Sequence, residues 1–151
     1  MHKKRRLQNL GKNEMEDHSA KYSGSCLCGA VKFESDAEPL WCGHCHCPSC
    51  QKATGAAFAT YVGFHREDIR FWGQKPTKFN SSPGVYRKFC GSCGSAVSFE
   101  GETWPGEVHM MAVLFNEADS FKPTGHTYVK TRLSWIGGNG LAEHDTFPRR
   151  G

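Results

Sequence analysis

Long apolar runs are missing from this chain. The longest, Met110 to Phe115, is six residues, against the roughly 18 that a membrane-crossing helix needs. A secretory leader is not expected in the opening residues either, because Lys3-Lys4-Arg5-Arg6 is followed by polar residues where a leader would carry an apolar stretch. Helical periodicity is scarce: only Pro48–Thr54, stopped by Gly55, reads as a helical turn or two. The formal charge of +4 disappears once it is located. Lys3, Lys4, Arg5, Arg6 and Lys12 against Glu14 account for all of it, and residues 15–151 are balanced. No acidic macromolecule is called for, so nucleic acid is not an expected partner, nor is a membrane. The expectation is a cytoplasmic protein.

What the chain does have is cysteine, eight residues in 151. A domain of about 150 residues buries enough surface to fold without staples, and a reducing compartment disfavours disulfides, so the cysteines read as metal ligands. They fall into tight groups: Cys26-Leu-Cys28, then Cys42 with Cys45-His-Cys47-Pro-Ser-Cys50, then Cys90-Gly-Ser-Cys93.

Between these groups lie short alternating or aromatic-rich stretches, at 30–35, 57–64, 69–72, 85–89, 96–100, 108–114 and 127–130. They predict strands, and the Gly and Pro residues between them predict turns. The fold class expected is mainly β, one domain with short strands and zinc knuckles. Residues 1–21 are expected to be a disordered basic extension, 22–147 the zinc-binding domain, and 148–151 a tail.

One internal echo links two cysteine groups. Gly24-Ser-Cys-Leu-Cys-Gly-Ala-Val-Lys-Phe-Glu34 parallels Gly91-Ser-Cys-Gly-Ser-Ala-Val-Ser-Phe-Glu100, each a thiol-bearing turn running into a short strand. If the copies face each other, Cys26, Cys28, Cys90 and Cys93 supply four thiolates to one metal, the closed set of a structural zinc. Cys45, Cys47 and Cys50 supply three, which is the protein complement of an open zinc site. Pro48 and the following turn place Cys47 and Cys50 near a short helix start, where amide groups favour thiolate. Spacing alone leaves a second outcome open, in which Cys42, His44 or His46 closes the second site. Lys52, Arg66, Arg87, Lys88 and Lys130 read as solvated charges, and His109 as a structural histidine within an apolar strand.

Three strings together carry a family resemblance: Gly24–Glu34 as above, Cys45-His-Cys-Pro-Ser-Cys-Gln-Lys-Ala-Thr-Gly55, and Phe89-Cys-Gly-Ser-Cys-Gly94. His126-Thr-Tyr-Val-Lys and Ser134-Trp135 close the pattern. Over residues 22–147 the chain resembles the glutathione-dependent formaldehyde-activating enzymes, a family that includes centromere protein V. The resemblance implies a β-tent fold, a structural zinc on Cys26, Cys28, Cys90 and Cys93, and a catalytic zinc on Cys45, Cys47 and Cys50, two ions per chain. It implies a carbon–sulfur lyase that condenses a small thiol, glutathione or similar, with formaldehyde or a related aldehyde. A zinc-stapled binding module of the centromere protein V type, with both metals structural, is the alternative it leaves.

Overall fold

Among the described residues eleven short segments form strands, and in the central ones alternating side chains give the sheet a buried inner face. The eleven are β1 (Tyr22–Ser25), β2 (Val31–Ser35), β3 (Trp41–Cys45), β4 (Ala59–His65), β5 (Arg70–Gly73), β6 (Thr77–Ser82), β7 (Val85–Phe89), β8 (Ala96–Gly101), β9 (Glu107–Met111), β10 (Gly125–Thr127) and β11 (Ala142–His144). Among the described residues there is one α-helix, α1, which spans Pro48–Thr54. This is a computed structural model, and it describes residues 20–148. The basic run at 3–6 and nearly all of the predicted disordered extension lie outside the described residues.

The strands form two sheets, one of three strands in the order β1-β2-β5 and one of eight in the order β11-β10-β3-β4-β9-β8-β7-β6. Neighbours are antiparallel except that β10 runs parallel to both β3 and β11. The mainly-β expectation holds. Among the described residues no helix is long and apolar enough to cross a membrane.

The large sheet is buried on both faces through much of its middle, and β4 shows why. Val62 and Phe64 point toward the small sheet and join Val31, Phe33, Val108 and Met110 in the main core. Ala59 and Tyr61 point the other way and pack beneath α1 with Cys50 and Met111. This second face carries the site. Across it the strand registers align Phe79, Arg87, Phe99, His109, Gly63 and Trp41 in a single row, one residue each from β6, β7, β8, β9, β4 and β3. Glycine at position 63 is a steric requirement of that row, since a Cβ there would stand 2.1 Å from Trp41 Nε1.

Several predicted strands are shifted or shortened. The stretch 108–114 leaves the sheet at Met111 and turns into a 3-10 helix over Ala112–Leu114. The stretch 127–130 contributes only Thr127 to β10, because Tyr128 takes a left-handed conformation and Val129–Thr131 forms another 3-10 turn. Four strands were not predicted at all: β1, β3, β6 and β11.

Candidate metal centres and the adjoining cleft

Two turns of the same design build the first cluster. After β1, Gly29 N–H donates to Cys26 C=O at 3.0 Å, and Gly29 has φ +76°. Between β7 and β8, Gly94 N–H donates to Cys90 C=O at 2.8 Å, and Gly94 has φ +75°. Glycine takes this left-handed conformation at little cost, so each turn aims its two sulfurs at one point. Because one turn belongs to the small sheet and the other to the large one, the thiols meet between the sheets. The Sγ atoms of Cys26, Cys28, Cys90 and Cys93 all lie within 4.8 Å of one another, with Cys26–Cys28 at 3.6 Å and Cys28–Cys90 at 3.8 Å. Those two separations match the edge of about 3.8 Å that four Zn–S bonds of 2.3 Å generate in a tetrahedron. The Ser95 hydroxyl and backbone, at 3.2 Å from hydroxyl to Cys93 Sγ, hold the Cys93 thiol down to about 5.

The second cluster sits at the junction of β3 and α1. Cys45 ends β3, Cys47 caps the helix by accepting from Cys50 N–H at 3.3 Å, and Cys50 is buried one turn in. Their sulfurs also lie within 4.8 Å of one another. The three thiols are not equivalent. Cys50 Sγ accepts from Tyr61 Oη at 3.5 Å and faces the Arg87 guanidinium at 3.8 and 3.9 Å. Donation from the Cys45 and Cys47 thiols, helped by Tyr61 and Arg87 and opposed by burial, lowers Cys50 to about 2. Cys45 is pushed up by the same sharing, first by Cys47 and then by Cys50.

Cys42, His44 and His46 stand apart from this cluster. Cys42 faces the main core opposite Val62, and burial raises its thiol to about 11. His44 Nδ1 pairs with Thr60 Oγ1 at 2.8 Å. His46 is fully buried, with its Nε2 on His126 Nδ1 at 2.8 Å, and His126 Nε2 reaches Asn139 Oδ1 at 2.9 Å. The intervening loop is further fixed where Thr131 Oγ1 and Gln51 Nε2 both donate to the His46 carbonyl, at 3.0 and 3.1 Å. Among the described residues, the groupings of metal-binding side chains contain neither Cys42 nor any histidine.

Arg87 corrects a sequence expectation. Arg87 and Lys88 both read as solvated charges, yet strand alternation sends them to opposite faces. Lys88 Nζ meets Glu100 Oε1 at 2.6 Å on the core side. Arg87 turns into the second face, over the Phe99 ring at 5.1 Å and onto Tyr61 Oη at 3.3 Å. Arg66 and Lys130 are ion-paired at the surface, with Glu100 and Asp145. His109 is buried with its Nε2 3.2 Å from Glu107 Oε2, in agreement with a structural role.

Two tyrosines were missed. Tyr61 lay inside a predicted strand, and the period of two could have placed it on the face opposite Val62. Tyr128 gave no sign: among the described residues it is the only non-glycine with positive φ, at 58°. Such strain, about 1–3 kcal/mol, gathers at functional sites. Here it turns the ring toward a cleft of about 960 Å³ that begins at Cys45, Cys47 and Cys50 and ends at Trp41, Trp104 and Phe147.

Comparison with known proteins identifies the family. The sequence model of the family described as glutathione-dependent formaldehyde-activating enzyme matches residues 21–131. A Halomonas elongata protein provisionally named glutathione-dependent formaldehyde-activating enzyme is 29% identical over 124 residues, covering 75% of this chain and 78% of its own length. An uncharacterized lyase of Schizosaccharomyces pombe is 27% identical over 78 residues, 52% of this chain and 56% of its own. A crystal structure of a Rhodobacter sphaeroides protein superposes with a TM-score of 0.53 at 19% identity, covering 81% of this chain and 98% of the other, and shares the fold. The chain belongs to the glutathione-dependent formaldehyde-activating enzyme family.

Proposed function

We propose that this family member is a zinc-dependent carbon–sulfur lyase that joins a small thiol, glutathione or similar, to formaldehyde or a related aldehyde. Cys26, Cys28, Cys90 and Cys93 hold a structural zinc that ties the two sheets into the β-tent, and Cys45, Cys47 and Cys50 hold a second, catalytic zinc. The donor chemistry fits: sulfurs clustered within 4.8 Å and unpaired as disulfides suit a borderline-soft cation. When bound, zinc in the second set supplies a Lewis acid and a thiolate-stabilising charge at neutral pH. The observation that carries the reading is a three-thiol set opening on a cleft beside a four-thiol set that is complete.

The reaction is an addition and needs no oxidant. A C–S bond forms between the thiol sulfur and the carbonyl carbon, the carbonyl π pair moves to oxygen, and the thiol proton ends on that oxygen. The protein's own part is positioning and charge. Three thiolates around a divalent cation leave one negative charge, and Arg87, 3.8 Å from Cys50 Sγ, offsets it, so the cleft accepts a further thiolate. Tyr61 Oη, bonded to both Arg87 and Cys50, fixes the guanidinium.

Exchange NMR on glutathione plus formaldehyde tests the reading. Accelerated exchange that depends on zinc is the expected result. No acceleration with two zinc ions bound overturns it for this substrate pair and favours a binding module instead.

A further inference from the structure

The end of the cleft farthest from the thiols is built unlike the end beside them. Trp41 and Cys45 are the two ends of β3, four residues apart, which is about 13 Å along a strand. Formaldehyde, with two heavy atoms, does not reach across that length. The far end is walled by rings held against each other, Trp41 and Phe147 at 4.9 Å and Trp104 and Phe147 at 5.3 Å between centroids, and Phe99, 5.7 Å from Trp104, leads from this wall back to Arg87. Two polar edges of this region are paired with one carboxylate. Trp41 Nε1 donates to Glu107 Oε2 at 3.1 Å, and His109 Nε2 lies 3.2 Å from the same oxygen. A carboxylate placed against these rings would lose its hydration with no charged partner among them. Arg87 stands nearer the thiols and already faces Cys50.

We propose that this far end receives an uncharged aryl or alkyl group of a substrate, so that the preferred substrate pair carries an apolar group of several carbons. The inference rests on the reading that the C–S bond forms at Cys45, Cys47 and Cys50. A cleft of about 960 Å³ is at the large end of the 300–1,000 Å³ range of ligand sites, and aromatic walls of this kind select by apolar contact. The group can arrive on the aldehyde or on the thiol, and the assay separates the two.

The experiment uses the zinc-loaded full chain. In one arm 2-mercaptoethanol is paired with formaldehyde, butanal, hexanal and benzaldehyde; in the other, formaldehyde is paired with benzyl mercaptan. Burial of about 0.8 kcal/mol per methylene predicts a rise in kcat/KM of about fourfold for each added carbon in the arm that carries the group. The 4-carboxybenzaldehyde analogue should fall at least tenfold below benzaldehyde. Trp104→Ala should cut the hexanal-to-formaldehyde ratio about tenfold, and Trp104→Phe should restore most of it. Unreactive benzyl alcohol, added without thiol, should move the indole N–H resonances of Trp41 and Trp104. Turnover with a flat series and no benzyl alcohol shift overturns the inference and leaves the lyase reading standing. Benzyl alcohol binding without turnover of any pair supports the apolar site and contradicts the lyase reading.

Discussion

The two thiol clusters use the same atoms at similar separations, yet their surroundings differ in every other respect. The four-thiol cluster is made by two turns of one design, drawn from different sheets, and its nearest polar neighbour is the Ser95 hydroxyl. The three-thiol cluster comes from a single six-residue stretch, and a tyrosine and an arginine reach it from β4 and β7. The first joins elements distant in sequence, and its four cysteines are not among the residues that line the aromatic cleft. The second is local and opens on a large aromatic cleft. A cluster that holds distant parts of the chain together contributes folding energy, whereas one that is local and supported from outside is free to do chemistry.

The sharpest way to break this comparison is to remove one sulfur from each side. A structural zinc site contributes on the order of 10 kcal/mol in small domains, comparable with the whole stability of about 5–15 kcal/mol. Cys90→Ala, at a fully buried position, is therefore expected to abolish the cooperative thermal transition followed by circular dichroism. Cys50→Ser should keep that transition while losing the second metal and reducing turnover by more than about 100-fold, beyond the usual loss for a residue that merely supports a ligand. A Cys50→Ser protein that unfolds as Cys90→Ala does would erase the distinction.

The next effects are smaller and concern the supporting groups. Arg87→Gln and Tyr61→Phe should each cost about 10–100-fold in second-site metal affinity or in activity, with the thermal transition unchanged, as chelator competition and calorimetry would show. Cys42→Ala should be the mildest. It removes one buried sulfur from the core, at about 1 kcal/mol, and both metals should remain. Loss of the second metal in that variant would make Cys42 a ligand after all.

Both clusters were legible in the sequence for physical reasons. Thiols brought together by tight turns leave a spacing signature, and the echo between Gly24–Glu34 and Gly91–Glu100 reflects two turns that had to be alike to converge. The helix Pro48–Thr54 was legible because proline opens it and a left-handed Gly55 closes it. Strands without an apolar face were not legible. β6 is exposed along its whole length, and in β3 the sequence Trp-Cys-Gly-His-Cys hides its alternation behind a glycine and two cysteines. Arg87 illustrates a different limit. Its neighbour Lys88 has the same chemistry, and only the sheet decides that one faces Glu100 and the other Cys50. The row from Phe79 to Trp41 is likewise assembled from six strands spread over residues 41–111, with no local pattern to announce it.

The claim that most needs testing is that the two clusters hold their metals in different ways and for different ends. Graded chelation of the zinc-loaded chain, counting released zinc while following near-ultraviolet circular dichroism, addresses it directly. The account predicts two zinc ions per chain, the first leaving readily with the tertiary signal intact and activity lost, the second leaving only as the fold collapses. Release of both ions in a single step, together with unfolding, would contradict it.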